Sequence, residues 1–135
     1  MLRFLTFTFM NYGFSNKEKL KSRKLIGQLF EDGKIVSKFP LKLFYVPAQF
    51  DDGVKIKAAV SVSKRNFKTA VDRNRIKRLL RESYRLYKHL VTENITENYA
   101  FLFLYVGRDL PEFELLEKKM QQLLKEFLTT EVKNS

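Results

Sequence analysis

Apolar residues recur along this chain with two periods, and their alternation predicts the elements. Leu20, Leu25, Ile26, Leu29 and Phe30 fall at helical spacing, and Gly33 is a natural terminator. Ser15 with Glu18 three positions on reads as a capping box that opens this helix. Residues 34–47 read as extended, with Pro40 interrupting them and Leu41–Val46 apolar enough for a strand. Asp51-Asp52-Gly53 marks a turn, expected to close a hairpin. From Lys55 to Ala58 polar and apolar residues alternate, and Val60 and Val62 continue the inward register of a strand with one covered face. A helix is expected from about Val71 to Val91. Tyr99–Val106 is nearly all apolar, as a central buried strand requires, and Gly107 closes it. Pro111 stands near the start of a last helix whose buried stripe is Phe113, Leu116, Met120, Leu123, Leu124 and Phe127. The order helix, strands, helix, strand, helix describes an α+β sandwich, a small sheet covered by helices.

The 135 residues contain no repeat, low-complexity run or Gly/Ser linker, so one domain over 14–130 is expected, with a disordered or strand-like extension at 1–13 and a short tail at 131–135. Leu2–Met10 is apolar but far short of the ~20 residues that cross a bilayer. Arg3 alone makes a thin basic flank and no small-residue cleavage site follows, so neither a membrane anchor nor a secretory signal is expected. With no cysteine there is no disulfide framework and no thiolate metal site, which suits the reducing cytoplasm.

Charge changes the picture most. The net charge of +11 is uneven: residues 64–88 carry ten Lys/Arg against two acids, whereas 89–135 carry five against eight. A concentrated positive field beside an acidic-leaning tail suits a phosphate backbone or an anionic membrane surface. On a wheel of 100° per residue with Ile76 at zero, Ile76, Leu79, Leu80, Ser83, Tyr84, Tyr87 and Leu90 fall within roughly 80° on either side. Asn74, Lys77, Arg78, Arg81, Arg85 and Lys88 occupy the sector from roughly 100° to 200°. One face therefore packs while the other presents a cationic ridge about 20 Å long. Asp72 and Glu82 are the only acids in the segment, too few for the mixed-sign pairing of an ordinary solvated face. A polyanion would relieve the repulsion and release counterions, and arginine favours bidentate phosphate contacts. Asn74, between Arg73 and Arg75, adds a neutral donor and acceptor for a base edge or ribose hydroxyl.

The string Val60-Ser-Val-Ser-Lys-Arg, a short spacer, then Ala70-Val-Asp-Arg-Asn-Arg-Ile-Lys-Arg-Leu-Leu-Arg-Glu resembles the signature of the bacterial ribonuclease P protein family, its RNR motif. The likeness covers roughly 14–128, with Lys19-Leu20, Phe30 and Gly33 resembling the family's first helix. The resemblance implies a two-layer α-β-β-β-α-β-α sandwich with a left-handed β-α-β crossover around the basic helix. It implies that Lys64, Arg65, Lys68, Arg73, Asn74, Arg75, Lys77, Arg78, Arg81 and Arg85 face a catalytic RNA. A groove lined by Ile26, Phe30 and Phe44, with Lys64 and Arg65 at its mouth, would hold the single-stranded 5′ leader of precursor tRNA. The family usually has an aromatic where Ile26 stands and often Tyr where Phe44 stands, so one stacking surface and one hydroxyl are missing. Phe30 and Phe44 could equally be ordinary core, and for Ile26 core is the stronger expectation.

Protein-borne catalysis has little support. His89 is the only histidine, and a surface or capping role is a far stronger expectation for it than catalysis; the acids show no metal-ligand spacing. The resemblance assigns hydrolysis to the RNA partner with its Mg²⁺; no cofactor held by the protein alone and no small-molecule substrate are expected. Two rival readings are a generic basic RNA-binding protein, such as a ribosomal one, and a nuclease acting alone.

Overall fold

The computed structural model describes residues 16–131. The expected extension at 1–13 and the proposed cap Ser15 lie outside the described residues. After a 3₁₀ turn at Asn16–Glu18 come α1 (Arg23–Asp32), β1 (Lys34–Lys38), β2 (Leu41–Pro47), β3 (Ile56–Val62), α2 (Ala70–Tyr87), the single turn α3 (His89–Thr92), β4 (Tyr99–Tyr105) and α4 (Phe113–Glu131). The α-β-β-β-α-β-α order implied by the family resemblance is present, with α3 added.

Helix α1 starts seven residues later than the Ser15–Glu18 box suggested. Ser22 caps it, its hydroxyl accepting from the amide of Leu25 at 3.2 Å. Glu18 instead forms an ion pair with Lys88, which fixes the 3₁₀ turn to the far end of α2. The long helix is also shorter than expected, ending at Tyr87 before α3 turns separately.

The sheet order is β1-β2-β4-β3, with β3 parallel to β4 and the other pairs antiparallel. The hairpin expected at Asp51-Asp52-Gly53 is therefore not a hairpin: the turn exists, with Gly53 at φ +77°, but β4 lies between the strands it connects. The reason is burial. β4 is the most apolar strand and six of its seven residues are buried, so it takes an inner place, while β3, carrying Lys57 and Ser61, takes an edge. The real hairpin joins β1 to β2 through a cis Phe39–Pro40 peptide.

Each sheet face has its own core. On one, α2 and α4 bury Leu43, Tyr45, Phe101 and Phe103 beneath Ile76, Leu80, Tyr84, Leu124 and Phe127. Much of the aromatic content is spent here: Phe127 meets Tyr45 edge-on at 4.8 Å and Phe101 at 4.9 Å, and Tyr84 lies 5.1 Å from Phe103. Burial, then the bond its hydroxyl donates to Glu131 at 2.6 Å, pushes Tyr45 well above the usual tyrosine range. On the other face, Leu20 and Leu29 cover Phe44, Val46, Ala100 and Leu102, with Leu25 and Ile26 packed at the margin.

Candidate nucleic-acid interface

Helix α2 runs in the crossover between the parallel strands β3 and β4, so both of its ends are tied to the sheet. Its apolar side is as the wheel expects: Ile76, Leu80, Ser83 and Tyr84 are buried, and Leu79 and Tyr87 pack beside them. The opposite side exposes Asn74, Arg75, Arg78 and Arg81, with Lys77 half-buried.

Three cations of the basic segment are engaged within the protein. Arg85 forms an ion pair with Glu82 one turn back. Lys88, which the wheel put on the exposed ridge, is buried and paired with Glu18. Its position at about 120° is the flank shared with Lys77, where the helix side turns towards its neighbours. Arg73 lies about 60° from Ile76, inside the packed sector. It is half-buried and its guanidinium donates to the Phe67 carbonyl at 2.9 Å. The exposed ridge is thus shifted from the sector the sequence suggested, centred on Asn74, Arg78 and Arg81 and extended on its far flank by Arg75.

The loop before the helix is built to hold its shape. Phe67 is buried against Tyr105 at 6.0 Å. Asn66 donates through its side-chain amide to the Gly107 carbonyl at 3.2 Å, pinning the loop to the end of β4. Thr69 caps α2, its hydroxyl accepting from the amide of Asp72 at 3.4 Å. Lys64, Arg65 and Lys68 are left exposed on this braced loop. Asn66, Phe67 and Thr69 were not singled out in the sequence, although Thr69 with Asp72 three positions later was a readable capping signal.

The residues expected to line a leader groove come together on the other sheet face. Phe30 projects from α1, 51% exposed, with its ring 5.2 Å from that of Phe44. Phe44 lies beneath it, buried, so only its partner offers a broad accessible ring. Ile26 is half-buried at the margin of the α1 core. Ile35, the cross-strand neighbour of Phe44, adds an exposed apolar surface that the sequence reading did not pick out. Among the described residues no group of three or more His, Cys, Asp or Glu side chains is placed to hold a metal ion. No helix among them is long and apolar enough to cross a membrane.

Comparison with known proteins gives one consistent result. A family model described as Ribonuclease P matches residues 14–128. The ribonuclease P protein component of Porphyromonas gingivalis is 39% identical over 116 residues, covering 84% of this chain and 85% of the relative. That of Chlorobium phaeobacteroides is 36% identical over 120 residues, covering 79% and 82%. Among solved structures, the Staphylococcus aureus RNase P protein matches with a TM-score of 0.65 at 17% identity, covering 82% of this chain and 94% of that one. The Thermotoga maritima RNase P protein matches with a TM-score of 0.64 at 20% identity, covering 81% and 96%. At such identity the structural matches establish the fold.

Proposed function

Because the chain belongs to the ribonuclease P protein component family, we propose that it is the protein subunit of a ribonucleoprotein that cleaves precursor tRNA at its 5′ end. In this reading the Arg75–Arg78–Arg81 side of α2 and the braced Lys64–Lys68 loop dock on a catalytic RNA. The observation that carries it is this exposed cationic ridge on a helix anchored at both ends. Like charges held together on a fixed scaffold are stabilised when a polyanion displaces their counterions.

The second surface, Phe30 over Phe44, offers an apolar ring to an unstacked base of the single-stranded 5′ leader. Stacking of this kind is worth about 1–3 kcal/mol per base and tolerates any sequence. With Phe44 buried and Ile26 in place of an aromatic, Phe30 carries most of the ring surface.

Hydrolysis is assigned to the RNA. The described residues offer no carboxylate cluster for Mg²⁺, so the ion would be held by RNA phosphates, and the protein's part is to bind, neutralise and orient. The cytoplasm, where precursor tRNA is made, is the compartment this reading requires.

The test is reconstitution. Mixed with a bacterial ribonuclease P RNA at low Mg²⁺, the protein should stimulate 5′ cleavage of precursor tRNA and should not cleave by itself. Cleavage by the protein alone would indicate an independent nuclease. RNA binding without stimulation would leave only a general RNA-binding protein.

A further inference from the structure

Helix α1 covers only part of its sheet face. Strand pairing places Ile35, Phe44, Leu102 and Ala59 in one row across that face, and Ser37, Lys42, Leu104 and Ser61 in the next. Leu20 and Leu29 seal the first row at Phe44 and Leu102. In the second row Lys42, Leu104 and Ser61 are only half-buried and Ser37 is exposed. Lys42 alternates with Leu41 and Leu43, both buried in the opposite core, so its side chain shares the face of Phe44.

A half-buried lysine on an inner strand is costly to leave without a compensating charge, and several other lysines of this molecule do meet a carboxylate. Lys34, Lys38, Lys57 and Lys88 pair with Glu131, Glu126, Asp52 and Glu18. The Lys42 side chain has no ion pair or hydrogen bond among the described residues, and its row contains hydroxyls and no acid. It stands two strand positions, about 7 Å, from Phe44. The opposite end of its row is Ser61, three residues before Lys64 and four before Arg65. Lys42 thus links the aromatic pair to the basic loop, where a strand whose bases lie on Phe30 would have to pass.

We propose that Lys42 binds a backbone phosphate of the single-stranded 5′ leader of precursor tRNA, on the open row between the Phe30–Phe44 pair and the Lys64–Arg65 loop. The inference rests on the leader-binding reading above. Single-stranded RNA is the occupant favoured by the site, because it alternates bases for the ring with phosphates for the amine.

The experiment uses the reconstituted holoenzyme and measures affinity for leader-bearing precursor and for mature tRNA across a salt series. Lys42→Gln should weaken the precursor about threefold to tenfold, leave mature tRNA unchanged, and lower the salt slope by about 0.7. Lys42→Arg should restore most of the loss. Replacing single leader phosphates with uncharged methylphosphonates should reveal one position that weakens the wild type and has no further effect on Lys42→Gln. Equal losses for both RNAs, or methylphosphonate effects that add to the variant at every position, would overturn the assignment. If Phe30→Ala reduces preference for the leader while Lys42→Gln behaves as wild type, Lys42 alone is excluded. If the wild type shows no preference for leader-bearing precursor, the leader-binding reading falls and this inference with it.

Discussion

The cationic ridge makes a quantitative claim about salt. Arg75, Arg78 and Arg81 are exposed on α2 and none forms an ion pair among the described residues, whereas Arg85 is paired with Glu82 and Arg73 is bonded to the Phe67 carbonyl. The informative perturbation is therefore the triple change Arg75→Ala, Arg78→Ala and Arg81→Ala. Each phosphate contact contributes about 0.7 (single strand) to 0.9 (duplex) to the slope of log affinity against log salt, so three lost contacts should flatten the slope by about 2.1–2.7. Between about 50 and about 200 mM salt the wild type should then lose about 20- to 40-fold more affinity than the triple variant. Because the three side chains are exposed, stability should change by no more than about 0.5 kcal/mol each, which thermal unfolding checks directly. The assay is filter binding or fluorescence titration of a ribonuclease P RNA at five or six salt concentrations. Arg85→Ala, with a partner already in place, should alter the slope by less than one contact's share. A triple variant that folds normally and keeps the wild-type slope would show that this helix side faces solvent in the complex.

Other surfaces give further expectations. Phe30→Ala should lower stability by only about 1.5–2.5 kcal/mol, roughly half the cost of truncating a core phenylalanine, because half its surface is already exposed. The same change should weaken binding of leader-bearing precursor by about 1–3 kcal/mol relative to mature tRNA; equal losses for the two RNAs would reduce Phe30 to a packing residue. A Cβ at Gly107 would stand 2.5 Å from the Tyr105 hydroxyl and 3.1 Å from Pro40. Gly107→Ala should therefore displace a buried ring, disturb the bond from that hydroxyl to the Asp109 carbonyl, and cost about 1–3 kcal/mol in urea unfolding. Burial raises Tyr45, Tyr84, Tyr99 and Tyr105 above the ordinary tyrosine range. The folded state therefore retains protons that the unfolded chain releases, and stability should be intact below about pH 10 and fall as pH rises beyond it. A denaturation midpoint unchanged between pH 9 and pH 11.5 would contradict this.

The helices and strands were legible because each buries one face, and burial writes a period into the sequence. The long apolar run of β4 announced an inner strand, and the stripe from Phe113 to Phe127 announced α4. Strand order was less legible. A turn signal at Asp51-Asp52-Gly53 says that the chain reverses, but not that another strand will enter between the two it joins. Lys42 could not be assigned for the same reason: its row is defined by pairing with Leu104 and beyond it Ser61, far away in sequence. The cationic ridge was legible in outline because helical geometry fixes angles. The error lay at its edge, where Lys88 could turn either way and was settled by Glu18, while Arg73, in the packed sector, bonds to the Phe67 carbonyl. The caps followed local chemistry: the conspicuous Ser15–Glu18 pattern overshadowed the plainer Ser22, which carries no acid three positions later.

The unequal division of apolar residues between the sheet faces separates what this subunit must preserve from what it can vary. Among the described residues, twenty-two buried ones lie in the cluster with α2 and α4, against six in the cluster with α1. Substitutions around Ile26 and Phe30 therefore draw on the smaller reserve, leaving the scaffold that carries the arginines intact. Under the proposed function, preference among precursor transcripts can therefore change on one side of the sheet while the surface offered to the catalytic RNA keeps its support on the other.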